Sequence, residues 1–518
     1  MIDLFGTILI FFIYLAIRWP YFKLPVGPDT GYYVSNNTIV NSKFAFSKGW
    51  NARYAMCSKF IPELFCSLVY IWLGHKKYKF SWRLLFSFYN FGTAIAVGGI
   101  VHILSHGAPF SYLAGLVTYC LVSSEPDYGI YYESAEQFEI LFQAWGTFFL
   151  LKGVQPVQPE LLAVGAGLWF FDVFFIKITA IAAAAPLLLG SVIYYPPIWR
   201  FVLLEFFMFL LAYIILFLSS NKNPLATIMS EAAHQSIYSR GGREDVPPLK
   251  GYLEQLGQKA RHMAKIILRN PVIPFFALLG TFWVAKNGAP IYIIFLLLYV
   301  LGTSIKLMIS FLPIWWYTIP VLPLLGLFGA LGVFEALGSG IYGEIFIGLS
   351  ALAWFGLNVF RVHGKDEKQL MEEAWRMHPV EGQVHWDLES MTPELQTIIQ
   401  NNSLFVYGYP SLCAMVGQSY DVNFLTGIRY MEEMNPRWQV ELHEKMMQDP
   451  PAFIFDMFGR FEPPAVKENL GIYYEEIRSW KGGCSLGVYK LYKMIRRENP
   501  GEVNLDFRSH QFVPTGTL

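Results

Sequence analysis

The chain has 518 residues, of which 54% are hydrophobic, 17% aromatic and only 15% charged. Soluble domains carry about a quarter charged residues, so this composition excludes an ordinary soluble protein. The formal net charge is zero, which argues against a nucleic-acid partner. Repeated apolar runs of roughly 15 to 22 residues, punctuated by Gly and Pro, have the length that helices need to cross a hydrocarbon core of about 30 Å. The five cysteines (Cys57, Cys66, Cys120, Cys413 and Cys484) show no CxxC or metal spacing, so neither a zinc site nor a disulfide framework is indicated. Free thiols are expected at Cys413 and Cys484 in preference to a bridge.

The first span is Phe5 to Ile17. Met1-Ile2-Asp3 lacks a basic start and no small-residue cleavage site follows, so this run is expected to stay as a helix. A polar and aromatic segment then extends from Arg18 to about Phe60, and it contains Gly27-Pro28-Asp29-Thr30-Gly31-Tyr32-Tyr33. Pro28 and Gly31 hold Asp29 on a turn, and Tyr32 and Tyr33 suit the membrane interface. A solvated turn capping a helix is the plainer reading of the same residues. Ile61 to Gly74 is short for a span and contains Glu63, so it is read as lying along the membrane surface. The basic stretch from His75 to Arg83 then stays on the side of Asp29, whereas a true span would put it on the cytoplasmic side.

Ten further spans are predicted: Leu84–Leu104, Phe110–Val122, Phe138–Leu151, Leu161–Ile176, Thr179–Tyr195, Phe201–Leu218, Ile273–Val284, Ile291–Leu301, Leu312–Phe334 and Ile341–Val359. Eleven spans place the two termini on opposite sides of the membrane. Ser219 to Asn270 interrupts the pattern with Arg240, Arg243 and other cations, and its apolar residues recur at helical spacing, so it reads as amphipathic surface helices. Arg361 to Leu518 reads as a separate α/β domain, long enough for its own core. In it, Ser403–Tyr409 and Ala452–Asp456 are strand-like, Leu486–Tyr492 alternates like an edge strand, Thr392-Pro393 starts one helix, and Asn435–Gln448 forms another.

Ionisable residues at membrane depth are functional candidates by default. Glu133, Glu136 and Glu139 precede or open a span, with Glu136 and Glu139 on one helical face, and the alternative is a negative first turn stabilised by the helix dipole. Asp172 and Lys177 lie amid aromatics, five residues apart and poorly spaced for an intrahelical pair. Lys177 either snorkels or reaches an outer-face phosphate.

Gly-Pro-Asp-Thr-Gly-Tyr-Tyr after the first span resembles the first external loop of GT-C glycosyltransferases. The nearer resemblance is to the branch with the lipid A aminoarabinose transferase and the protein O-mannosyltransferases. Arg83 in Phe-Ser-Trp-Arg, Glu136, Lys177 in Phe-Ile-Lys-Ile-Thr and Asn401-Asn-Ser-Leu-Phe-Val-Tyr-Gly-Tyr-Pro follow in the order seen in that family. The resemblance implies a polytopic α-helical membrane protein of GT-C type with about eleven spans and a C-terminal extracytoplasmic α/β domain, divided as 1–360 and 361–518. It also implies inverting transfer of a sugar from a polyprenyl-phosphate donor to a lipid, protein or glycan acceptor on the outer face of a cell membrane.

In that chemistry Asp29 serves as general base with Glu136 beside it, and Arg83, Lys177, Arg240 and Arg243 take the donor phosphate. Tyr32, Tyr33, Glu133 and Glu139 then line the pocket. A divalent cation on Asp29 and Glu136 is left open. Thr30 stands where family members often carry Glu, and Trp315-Trp316-Tyr317 replaces a His-Tyr pair. A lipid-linked glycan transporter, which would carry inverted repeats, and a non-catalytic scaffold are the alternatives; no repeat is visible.

Overall fold

The computed structural model describes residues 2–27, 34, 39, 60–125, 134–220, 247–309, 319–338, 341–362, 364–376, 379–409, 411–420, 442, 444–457, 459, 461–482 and 487–497. Helix α1 (Ile2–Arg18) runs into a 3₁₀ turn (Trp19–Lys23) that buries Tyr21 and Phe22. Helix α2 (Phe60–Leu104) breaks at Gly74, whose φ of 67° only glycine adopts without strain. There follow α3 (Ser111–Ser123), α4 (Ala135–Val154), α5 (Pro159–Phe175), α6 (Ile181–Tyr194) and α7 (Trp199–Ser220). Beyond them come α8 (Pro248–Arg269), α9 (Val272–Asn287), α10 (Pro290–Ile309), α11 (Leu322–Leu337) and α12 (Ile341–Val362).

Each of the eleven predicted runs holds a helix, yet six helices among the described residues are long and apolar enough to cross a membrane, or seven if α8 and α9, bent by 98°, form one broken span. Length accounts for most of the gap, because α3, the run Ile178–Tyr194 and the 17-residue α5 are apolar but short. Helix α4 is long enough but carries Glu136 and Glu139, which neighbouring helices bury, so it need not be apolar all round. Peripheral α7 shows the opposite pattern: Phe207, Met208, Leu211 and Ile215 are exposed, as on a lipid-facing helix. The amphipathic α8 covers part of the predicted surface segment, and its Lys259 Nζ donates to the carbonyls of Leu307 and Met308 at 3.1 and 3.3 Å, closing the end of α10.

After α12 come α13 (Glu367–Ala374), started by a reciprocal Asp366–Gln369 capping box, and α14 (Pro379–Ile399). The rest comprises β1 (Leu404–Tyr407), α15 (Ser411–Val416), β2 (Phe453–Asp456), α16 (Pro463–Leu470), β3 (Ile472–Lys481) and β4 (Val488–Arg497). The four strands form one sheet in the order β1-β2-β4-β3, with β1 and β2 parallel and the other pairs antiparallel.

Two expectations are corrected here, and one strand is added. Thr392-Pro393 does not start a helix: α14 begins at Pro379 and runs through Pro393, and Thr392 Oγ1 donates to Leu388 O at 2.8 Å. Strand β4 is interior rather than an edge, because its alternation is matched on both sides by β2 and β3. Strand β3, with consecutive Glu475 and Glu476, went unrecognised and is one edge of the sheet, opposite β1. Cys413 is a free buried thiol, pushed up to about 12 by burial; Cys484 and residues 435–441 lie outside the described residues.

Candidate active site

Arg83, on the second half of α2, is buried. Its two terminal nitrogens donate to the backbone carbonyls of Tyr21 and Pro25. The planar guanidinium fork suits two acceptors at once, and here it straps the chain just ahead of Gly27. Trp19 and Phe22 meet Phe80 edge-on at centroid distances of 5.1 and 5.4 Å, one turn before the arginine. From α14, His385 lies at the same junction, fully buried between the rings of Trp375 and Tyr409, each 5.1 Å away. Burial first, and then the Arg83 charge, push its imidazole down to about 3.

A second group of charges forms where α4 begins and α5 ends. Ile176 and Lys177 both donate their N–H to Asp172 O, at 3.0 and 2.9 Å, and Lys177 is then extended. Its ammonium reaches across to donate to Glu136 Oε1. One turn further into α4, Glu139 Oε1 accepts from Lys306 Nζ of α10 at 2.7 Å, with both side chains almost wholly buried. Gln143 Nε2 donates to Asp172 Oδ2 at 2.9 Å. Beside them Asn90 Nδ2 donates to Gln137 Oε1 at 3.0 Å, which locks α2 to α4.

Of the predicted residues, Glu136 and Lys177 are therefore joined directly, and Glu139 lies one turn away. Arg83 is engaged by carbonyls at a separate junction. Asp29, Tyr32, Tyr33, Glu133, Arg240 and Arg243 lie outside the described residues. The sequence reading missed Lys306, because it ended that span at Leu301; a lone lysine in an apolar run was the available signal. Among the described residues, no three His, Cys, Asp or Glu side chains gather into a metal-holding set, and Glu136 is already matched by Lys177, so these residues alone make no divalent-ion site.

The architecture is that of a multi-pass helical membrane protein with a mixed α/β part after its last apolar helix. Among solved structures, the chain is similar to ArnT from Cupriavidus metallidurans bound to undecaprenyl phosphate, with a TM-score of 0.59 at 10% identity over 94% of this chain and 98% of that one. It is also similar to the apo state of the same protein, with a TM-score of 0.52 at 10% identity over 95% and 98%. No protein-family model and no curated protein matches the sequence.

Proposed function

We propose that this chain is an integral membrane glycosyltransferase that takes a sugar from a polyprenyl-phosphate donor and passes it, with inversion, to an acceptor hydroxyl or amine on the extracytoplasmic face. The observation that carries this reading is a fold shared over nearly its full length with a protein crystallised with undecaprenyl phosphate. Support also comes from the Arg83 strap on the segment leading into Asp29, and from cationic Lys177, whose ammonium meets Glu136 where α4 begins.

In this mechanism Asp29 accepts the acceptor's proton as the acceptor atom bonds to the anomeric carbon. The bond from that carbon to the phosphate oxygen breaks, and its electron pair leaves with the lipid phosphate. Lys177, Arg240 and Arg243 stabilise the negative charge that grows there, which lowers the barrier instead of merely tightening binding. Tyr32, Tyr33 and Glu133 flank the acceptor. Arg83 acts as a positioning residue, holding the backbone from which Asp29 is presented. The Glu136–Lys177 pair keeps the ammonium extended towards the site.

A positioned base is worth a factor of about 10² to 10⁴, so Asp29→Asn is expected to lower sugar transfer by about 10² or more while the melting temperature in detergent stays unchanged. Transfer would be followed with polyprenyl-phosphate sugars and lipid or peptide acceptors. Full activity in the variant would overturn the assignment.

A further inference from the structure

Below Glu136 and Lys177, polar side chains continue along one face of each of three helices. On α4 they are Glu139, Gln143 and Thr147, spaced four residues apart in a single stripe. Cross-links to the neighbouring helices come in order. Glu139 meets Lys306 of α10, Gln143 meets Asp172 of α5, and a Cβ on Gly146 would sit 2.9 Å from the Trp169 indole nitrogen. Trp169 in turn meets Tyr299 of α10 edge-on at 6.0 Å, and Thr303 lies on α10 between Tyr299 and Lys306. From Glu136 to Thr147 this seam rises about 16 Å through the bundle, and Thr147, Asp172 and Thr303 are at most 1% exposed.

Partners run out before polar atoms do. Among the described residues Glu139 Oε2, Gln143 Oε1, Asp172 Oδ1, the Trp169 indole and the hydroxyls of Thr147, Tyr299 and Thr303 have no hydrogen-bond partner. Helical hydroxyls elsewhere in the bundle close on the carbonyl one turn back: Ser87 at 3.0 Å, Thr118 at 2.8 Å and Ser191 at 2.9 Å. Thr147 and Thr303 do not, which leaves both buried hydroxyls without a partner among the described residues. A buried polar atom left unmatched costs about 1–3 kcal/mol, and several in one seam are what a file of bound waters satisfies. Among the described residues the charges do not balance either, since Glu136, Glu139 and Asp172 face two ammoniums, Lys177 and Lys306. Holding a proton is far less costly than burying an uncompensated charge, and Asp172, which accepts from the neutral amide of Gln143, is the carboxyl to hold it.

We propose that α4, α5 and α10 enclose a hydrated polar track, running inward from the Glu136–Lys177 pair, whose ligands are water and one exchangeable proton held at Asp172. A purely structural network would be dry.

Two measurements on the full-length protein in detergent or lipid discriminate, and neither uses enzymatic activity. Thr303→Cys is expected to react with a small cationic methanethiosulfonate at least about tenfold faster than Leu301→Cys, because only a thiol in contact with water forms the thiolate nucleophile. Leu301 is two residues away on the same helix and outward-facing at 52% exposure. Thr147→Cys gives the same comparison from α4 should the first variant fold poorly. In the infrared, a protonated-carboxyl C=O band is expected to shift on transfer from H₂O to D₂O and to be lost in Asp172→Asn. Equal labelling of the folded cysteine variants would overturn the hydrated track. A band that is absent, fails to shift, or survives in Asp172→Asn would overturn the proton.

Discussion

At His385 the chain buries an imidazole whose two nitrogens have no hydrogen-bond partner among the described residues, beside an arginine whose two terminal nitrogens donate to Tyr21 and Pro25. The neutral ring fits between Trp375 and Tyr409, and the charged ring does not, so this residue makes folding depend on pH. An unfolded histidine titrates near 6.5. The folded one titrates at about 3. Above pH 6.5 both states are neutral and the group contributes no slope. Between 6.5 and 3 the unfolded chain binds a proton that the folded chain refuses, so stability falls with acidification by up to about 1.4 kcal/mol per pH unit. By pH 5 the loss amounts to about 2 kcal/mol. Melting His385→Phe and the parent at pH 7.5 and pH 5 checks this, because the aromatic replacement keeps the stacking and removes the slope; an identical loss in both proteins would refute it. Little of this was legible beforehand. Arg83 was legible as a cation beside the external loop, but its grip on backbone carbonyls depends on a chain reversal that no local pattern encodes.

Among the elements, the tightest helix contact depends on glycine. Where α9 crosses α11, a Cβ on Gly280 would strike the carbonyl oxygen of Phe328, and one on Gly332 the carbonyl oxygen of Phe276. Small residues let helices approach closely in lipid, where dispersion replaces the hydrophobic effect as the driving force. The obstructing atoms here are backbone, so no side-chain rotation relieves them. Gly332→Ala is expected to cost more than about 3 kcal/mol or to prevent folding, beyond ordinary overpacking. Gly348→Ala on α12, with nothing within 4 Å of the added carbon, should melt like the parent. Thermal unfolding in detergent compares the two; equal melting temperatures would disprove the close-approach argument. The helices themselves were readable because apolar runs bounded by Gly and Pro set their length. The sheet was half readable. Strands β1 and β2 are buried throughout and so stand out as apolar runs, whereas β3 buries Ile472 and Tyr474 and leaves its middle exposed, giving no alternation to find.

For the whole molecule, the question is what fastens the residues after 361 to the helical bundle. Two kinds of contact do so. Ion pairs include Lys79–Glu389 at 2.5 Å and a cluster in which Arg361 and Arg376 share Glu125 and Glu373 at 3.4–3.6 Å. All are partly solvent-exposed, and such pairs are worth about 0–1 kcal/mol each. Apolar contacts are of another order. Trp375, Val384, Leu388 and Leu395 belong to one continuous buried cluster with Tyr21, Trp82 and Phe86 of the bundle, while the other face of the sheet keeps a separate cluster around Phe405, Ile454 and Phe461. Residues after 361 thus bury part of their apolar surface in a cluster shared with the bundle and part in a cluster of their own. Trp375 also packs over Gly382 and His385, and α13 rests on the 3₁₀ turn that Arg83 straps. Trp375→Ala is therefore expected to destabilise by about 3–5 kcal/mol, against 1 or less for Lys79→Met. It should also open the chain to protease near Arg376 and, on the proposed function, lower sugar transfer, since the strapped segment loses its outer support. Raising salt should leave the parent unmoved, because screening weakens only the exposed pairs. If Lys79→Met or high salt released the C-terminal part while Trp375→Ala left it bound, charge would be the fastening and the shared core incidental.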